Sequence, residues 1–171
     1  LLQTKNNYKN IKKTYPILTT LNEDNCGSGE NICVSDLNID NIFIGDIWCT
    51  KNNVLLQVTS PRKPCSRWTK KYNNSSIRHF ILKNTYGGVF FKVLKEGFIY
   101  QNDYIYLKQR IQNKWSIKLI GEKCCSKAGT NIDDSFQWCG TDNELEELYN
   151  LEQLANREWK EEIDNLYETK K

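Results

Sequence analysis

Cys65 ends the run Gln57-Val58-Thr59-Ser60-Pro61-Arg62-Lys63-Pro64-Cys65, in which two prolines bracket two cations immediately ahead of a thiol. A soft sulfur held beside positive charge is what a thiolate-bound metal or a reactive nucleophile requires. The bland alternative is a buried free thiol that packs as a small hydrophobe. Arg62 is a candidate anion contact, against a surface ion pair of little energetic worth. Glu30 and Asn31, in Gly29-Glu30-Asn31, can line a pocket through hydrogen bonds, or Asn31 can cap an ordinary turn. Trp68 lies close enough in sequence to Cys65 to line the same pocket. Asp46 reads as a structural turn residue, and His79, the one histidine, as a helix-surface residue. Cys124, Cys125 and Cys139 do not have the spacing of a zinc site.

These residues need a frame. Leu1 to Pro16 reads as a short basic helix stopped by Pro16. Leu21 to Gly29 reads as a polar loop. Asn41 to Trp48 is a predicted strand with a turn or bulge at Gly45-Asp46. Lys51-Asn52-Asn53 is a hairpin turn, and Val54 to Thr59 is a strand buried on both faces that leads into the Cys65 loop. Ser75 to Lys83 is a short helix with Ile77, Phe80 and Ile81 on its apolar side. Gly87-Gly88 opens a strand over Val89 to Leu94. Phe98 to Tyr100 and Tyr104 to Lys108 are expected to pair, turning at Asn102-Asp103. Trp115, Ile117 and Leu119 alternate with polar residues, the period of a half-buried strand. Cys124 to Gly140 is irregular. Thr141-x-x-Glu144 is a capping box. It opens an amphipathic helix, or two with a break, carrying Leu145, Leu148, Leu151, Ala155, Trp159, Ile163 and Leu166 on one side. That helix is expected to pack on the β structure with its acidic face in water.

The 171 residues suffice for one domain with an appendage, and 39% hydrophobic with 26% charged residues is a globular composition. The net charge is +3, unevenly spread: from Thr141 onward ten acidic residues face four basic ones, a net −6, so the preceding chain carries +9. A basic body of this kind suits anions. The absence of an Arg-rich motif or nucleic-acid module argues against a nucleic acid as a specific ligand. Seven cysteines without a paired pattern point to free thiols in an intracellular, reducing compartment, a mitochondrion or plastid included. No stretch has the apolar length of a membrane span. The chain starts at Leu1 and has no Met, which suggests a processed or partial form of a longer protein.

Three patterns fall in order: Gly29-Glu30-Asn31, then Phe43-Ile44-Gly45-Asp46-Ile47, then the run ending at Cys65. This order resembles the MOSC domain, the module named for the molybdenum cofactor sulfurase C-terminus. The resemblance is greatest to the small stand-alone bacterial branch that reduces N-hydroxylated bases such as hydroxylaminopurine, where G-E-N, I-G-D and Q-V-S-x-P-R-x-P-C recur in this order. Gly88 to Gly97 resembles the family's G-W-x-x-R-V-L-x-x-G segment, and Asp103 to Leu107 its final barrel strand. The resemblance runs from about Tyr8 to Gln109. Leu154-Ala155-x-x-x-Trp159-Lys160 is similar to the closing helices of that branch. The family also carries an H-G-G-x-x-x-A element ahead of the first helix. This chain begins just past that place, and His79 does not stand in such a context.

The resemblance implies a mainly β fold with α: a MOSC-type β-barrel-like core with flanking short helices and a C-terminal amphipathic tail. It divides the chain into a MOSC-like β domain over 1–120, a Cys-containing insertion over 121–140 and an acidic helix over 141–171. It further implies a molybdenum cofactor (molybdopterin) bound through Cys65, which is both metal ligand and catalytic residue. Arg62, Glu30 and Asn31 would help seat the pterin, with Arg62 also lowering the thiol pKa. The implied activity is a molybdenum-dependent oxidoreductase that cleaves the N–O bond of a small N-hydroxylated substrate, with electrons from a separate redox protein. Two further readings belong to other classes. One is a MOSC-derived pseudoenzyme that serves as a structural or accessory subunit of a larger assembly. The other is a sulfur carrier that uses Cys65 as a persulfide.

Overall fold

Residues 1–18, 21, 27–74, 76–125, 137–155 and 157–170 are described in a computed structural model. The chain opens with strand β1 (Leu2–Thr4), not with helix. Leu2 pairs in parallel with Ile32 of β2 (Ile32–Val34) and antiparallel with Val89 of β5 (Val89–Lys95). Helix α1 (Lys5–Thr14) then starts where the Thr4 side chain accepts from the Asn7 amide, a hydroxyl N-cap. The expected basic helix is thus real but shorter. Its first residues go to a strand because two distant partners bond their backbone.

Strands β3 (Ile47–Thr50) and β4 (Leu55–Pro61) form the expected hairpin. Its turn places Asn53 in the left-handed region at φ 60°, which Asn tolerates. The strand predicted over Asn41 to Trp48 begins only at Ile47. Ahead of it stand a short 3-10 turn at Ile39–Asn41 and a turn at Gly45, whose φ is +84°. Asp46 is fully buried there, and both of its oxygens are bonded by Arg110 at 2.9 Å, while Oδ2 also accepts from the Phe43 amide at 3.0 Å.

Helix α2 (Ser66–Tyr72) follows the Cys65 loop directly and was not expected from the sequence. Helix α3 (Ser76–Lys83) and β5 follow as expected. The strand pair expected around Asn102-Asp103 does not form. Phe98 to Tyr100 is irregular, and β6 (Ile105–Gln109) pairs instead with β3. The sheet is mixed and six-stranded, in the order β2-β1-β5-β4-β3-β6.

Ile117–Lys123 is a helix, α4, where alternation suggested a strand. Ser116 caps it by accepting from the Leu119 amide, and Ile117, Ile120 and Gly121 are buried at helical spacing. A two-stranded ribbon of β7 (Cys124–Cys125) and β8 (Gln137–Trp138) flanks the segment 126–136, which lies outside the described residues. The capping box at Thr141 and Glu144 forms as expected and starts α5 (Asp142–Tyr149). The apolar series then continues on a second helix, α6 (Arg157–Glu168), so the tail is two helices with a break.

Two cores hold this together. Trp48, Val58 and Val89 from the sheet pack with Ile117 and Ile120 of α4 and with Leu145, Leu148, Trp159 and Ile163 of the tail. Tyr8 and Ile11 of α1 pack with Trp68, Ile77 and Ile81 of α2 and α3. The tail therefore shares one apolar core with the sheet.

Candidate functional site

The loop that carries Cys65 leaves the end of β4, and its main chain is held from several sides. The Arg62 amide donates to the Gly88 carbonyl at 2.9 Å. The approach is close: a Cβ on Gly87 would lie 2.5 Å from the Arg62 carbonyl oxygen, and one on Gly88 (φ +95°) 2.5 Å from that of Leu2. Glycine at both positions is what lets β5 pass this near. The Pro61 carbonyl accepts from Trp159 Nε1 of α6 at 2.7 Å, and the Pro64 carbonyl from Arg78 Nε of α3 at 3.2 Å. The Cys65 carbonyl accepts from the Trp68 amide at 3.0 Å as α2 begins. Cys65 occupies the N-cap position of α2 in extended backbone and makes no side-chain cap bond, so its exposed thiol is not consumed by the helix.

That thiol opens on a cleft of about 430 Å³, within the range of small-molecule sites. Lys63, Pro64, Cys65 and Ser66 form one wall, with Arg78 from α3. Glu161, Glu162 and Asn165 of α6 form the other. Lys63 Nζ and Glu162 Oε1 meet at 3.2 Å and join the two walls.

The remaining residues singled out from the sequence gather behind the loop. Arg62 Nη1 donates to the Ser28 carbonyl. The Ser28 amide in turn donates to Glu30 Oε2 at 3.1 Å, and Tyr8 donates its hydroxyl to Glu30 Oε1 at 2.5 Å. The Gly27 carbonyl accepts from Lys71 and Tyr72 of α2 at 2.9 and 2.7 Å. Burial pushes the Tyr8 phenol well above its ordinary pKa, and the hydrogen bond to Glu30 adds to this. Burial, with the Glu30 charge second, pushes Tyr72 up to about 12. Glu30 is buried, whereas Asn31 is exposed and its Oδ1 accepts from the Leu1 nitrogen at 3.0 Å.

Arg62 and Glu30 are thus brought together through Ser28, while Cys65 faces the cleft. Among the described residues the cleft's cations are Lys63 and Arg78, which the sequence reading passed over. A cation on the apolar side of α3, next to buried Ile77, was the available signal for Arg78. Trp68 does not line the cleft. The α2 helix turns it into the second core, where it packs on Tyr72 with ring centroids 5.4 Å apart. His79 sits half-buried on α3, outside the lining residues.

No group of three or more His, Cys, Asp or Glu side chains could hold a metal ion among the described residues. Cys49, Cys65 and Cys124 are free thiols, and burial pushes Cys124 up to about 12. Cys139 is disulfide-bonded, which corrects the expectation of free thiols throughout. Among the described residues no helix is long and apolar enough to cross a membrane.

A protein named Reductase from Gibberella moniliformis is 33% identical over 89 residues, 52% of this chain and 16% of that protein. The uncharacterized protein YflK of Bacillus subtilis is 34% identical over 73 residues, 43% of this chain and 33% of that protein. The matched stretches are therefore a third or less of the length of these relatives. Crystal structures of YiiM share the fold. YiiM from Escherichia coli superposes with a TM-score of 0.77 over 99% of this chain and 77% of that one, at 18% identity. YiiM from Geobacillus stearothermophilus gives 0.77 over 97% and 76%, at 21% identity. The MOSC domain family model matches residues 2–106, a span that contains the Ser28 turn, the Gly45-Asp46 turn and the whole Cys65 loop, and the chain belongs to the MOSC domain family.

Proposed function

We propose that this chain binds a molybdopterin-type molybdenum cofactor, with Cys65 as the thiolate ligand of the metal, and reduces the N–O bond of small N-hydroxylated substrates. One observation carries the reading: in a MOSC domain, an exposed thiol opens on a cleft of about 430 Å³ whose near wall is cationic. The residues fit such a group. Cys65 is a soft ligand on a loop tied at Pro61, Arg62 and Pro64. Lys63 and Arg78 put positive charge on the near wall, which favours an anionic group of the cofactor there. Arg62 and Glu30 hold the Ser28 turn behind the loop, and Asn31 presents its amide at the surface of that turn. On the far wall Glu161 and Asn165 stand beside Glu162, which is paired with Lys63, and offer polar contacts to a hydroxylated base.

When bound, the cofactor supplies two-electron redox chemistry. Overall R–NHOH takes up two electrons and two protons to give R–NH2 and water, with the electrons from a separate redox protein. The test is metal analysis of the protein produced in a host that makes the cofactor, together with turnover of hydroxylaminopurine. Stoichiometric molybdenum, lost in Cys65→Ser along with turnover, is the expected result. Full molybdenum in Cys65→Ser would remove Cys65 from the site, and recovery of a Cys65 persulfide would assign sulfur transfer instead.

A second reading, a MOSC-derived accessory subunit, has its own support. Phe98, Tyr100 and Tyr104 are 76%, 62% and 60% exposed around the turn before β6. A face of this kind marks interaction sites. Protein without molybdenum that elutes only within a larger assembly would favour it.

A further inference from the structure

We infer that α6 is a working wall of the Cys65 site, and that Trp159 and Glu162 are positioning residues for the loop Pro61 to Cys65. The inference rests on the reading above in that it takes Cys65 as the residue to be positioned. The family match ends at residue 106, so nothing in it assigns a role to α6.

Two bonds of different kinds run from α6 to the loop. Trp159 is 1% exposed, and its indole nitrogen donates to the Pro61 carbonyl at 2.7 Å, across 98 residues of chain. Proline has no amide hydrogen, so Pro61 joins the hydrogen bonding only through this carbonyl. Left without the indole, that carbonyl would be an unpaired acceptor in an apolar surround. Two residues on, Lys63 pairs with Glu162 at 3.2 Å, with both side chains about a quarter or less exposed. One turn of α6 thus holds the loop at both of these points, since residues 159 and 162 share a helix face. Glu161 and Asn165 of the same helix line the cleft, so the element that fixes the loop also borders the space beside the thiol. Tail packing alone needs neither bond. The apolar face of α6, through Ile163 and the Trp159 ring, already seats it in the core.

The test is hydrogen exchange, resolved by residue, on the cofactor-free full chain, which requires neither metal nor substrate. Trp159→Phe keeps an aromatic ring in the core and removes the donor. The Arg62 amide, bonded to Gly88, is expected to exchange about tenfold faster, a local opening made easier by about 1.4 kcal/mol. The Val58 amide, bonded to Asp46 in the same strand, should keep its rate. Glu162→Gln is expected to speed Arg62 exchange by about threefold, and the exchanged pair Lys63→Glu with Glu162→Lys to restore it. An unchanged Arg62 rate, or equal acceleration at Arg62 and Val58, would overturn the inference, as would a failure of the exchanged pair to restore protection. If the exchange behaves as expected and the protein holds no molybdenum, the positioning stands and the cofactor reading falls. If Cys65-dependent molybdenum is found with the loop indifferent to both variants, the reverse holds.

Discussion

Cys65 and Cys124 carry the same thiol in opposite surroundings. Cys65 is exposed at a cleft mouth, whereas Cys124 is 0% exposed and burial raises its pKa to about 12. Only the thiolate attacks an alkylating reagent. At pH 8 iodoacetamide is expected to modify Cys65 within minutes and to leave Cys124 unmodified until the chain is unfolded, as read by peptide mass mapping. Equal labelling of the two in the folded protein would contradict the burial of Cys124. The motif run named Cys65 and Arg62 correctly as neighbours of one loop, but it could not show where Arg62 points. Its guanidinium turns back to the Ser28 carbonyl, while Lys63 and Arg78 face the cleft. Alternation of direction within a loop depends on backbone geometry that residue types do not encode.

At the level of elements, the Gly45-Asp46 turn shows how a motif residue becomes structural. Gly45 stands at φ +84°, a conformation that residues with a side chain rarely adopt, and a Cβ there would also have to displace the tip of Ile111, 2.4 Å away. Asp46, fully buried, takes two bonds from Arg110, and Arg110 stacks over the Phe43 ring at 4.1 Å. Asp46→Ala would leave the cation without its buried partner, and a loss of about 3 kcal/mol is expected in a urea melt. A loss below about 1 kcal/mol would mark the pair as an ordinary surface bridge. Local signals served well where a few adjacent residues decide the outcome. The capping box at Thr141 and Glu144 formed, as did the hairpin at Asn53 and the strand after Gly87-Gly88. They failed at Trp115 to Leu119, where three alternating apolar residues are too short a run to fix the period. The Ser116 cap and the burial of Ile120 and Gly121 chose the helix.

Across the whole molecule, the pH response follows from the titrating groups whose values are displaced. Tyr8 and Tyr72 have raised pKa values, chiefly through burial, so the fold disfavours their ionised forms. Their contribution to stability is complete below the ordinary tyrosine pKa of about 10 and is lost as pH rises through the raised folded values. Glu144 is displaced the other way, held down first by the Thr141 amide and then by Lys123. Its contribution is present above the ordinary carboxylate range and is lost as pH falls through the lowered value. The urea midpoint is therefore expected to fall from about pH 10 upward, and less steeply in Tyr72→Phe. Parallel alkaline slopes in the two proteins would remove Tyr72 as a cause. The order of the three motifs, the strands β4 to β6, the helices α3 and α5, and the place of Cys65 in the loop after β4 were all legible along the chain, because turns, caps and periodicity are properties of neighbouring residues. Tertiary structure alone decided that Leu2–Thr4 is a strand, that Glu30 lies buried under Tyr8, and that α6 closes the cleft beside Cys65. Those outcomes rest on bonds such as Arg62 to Ser28 and Trp159 to Pro61, which join residues 34 and 98 positions apart. No local pattern marks such partners, since each donor finds its acceptor only after the two cores have packed.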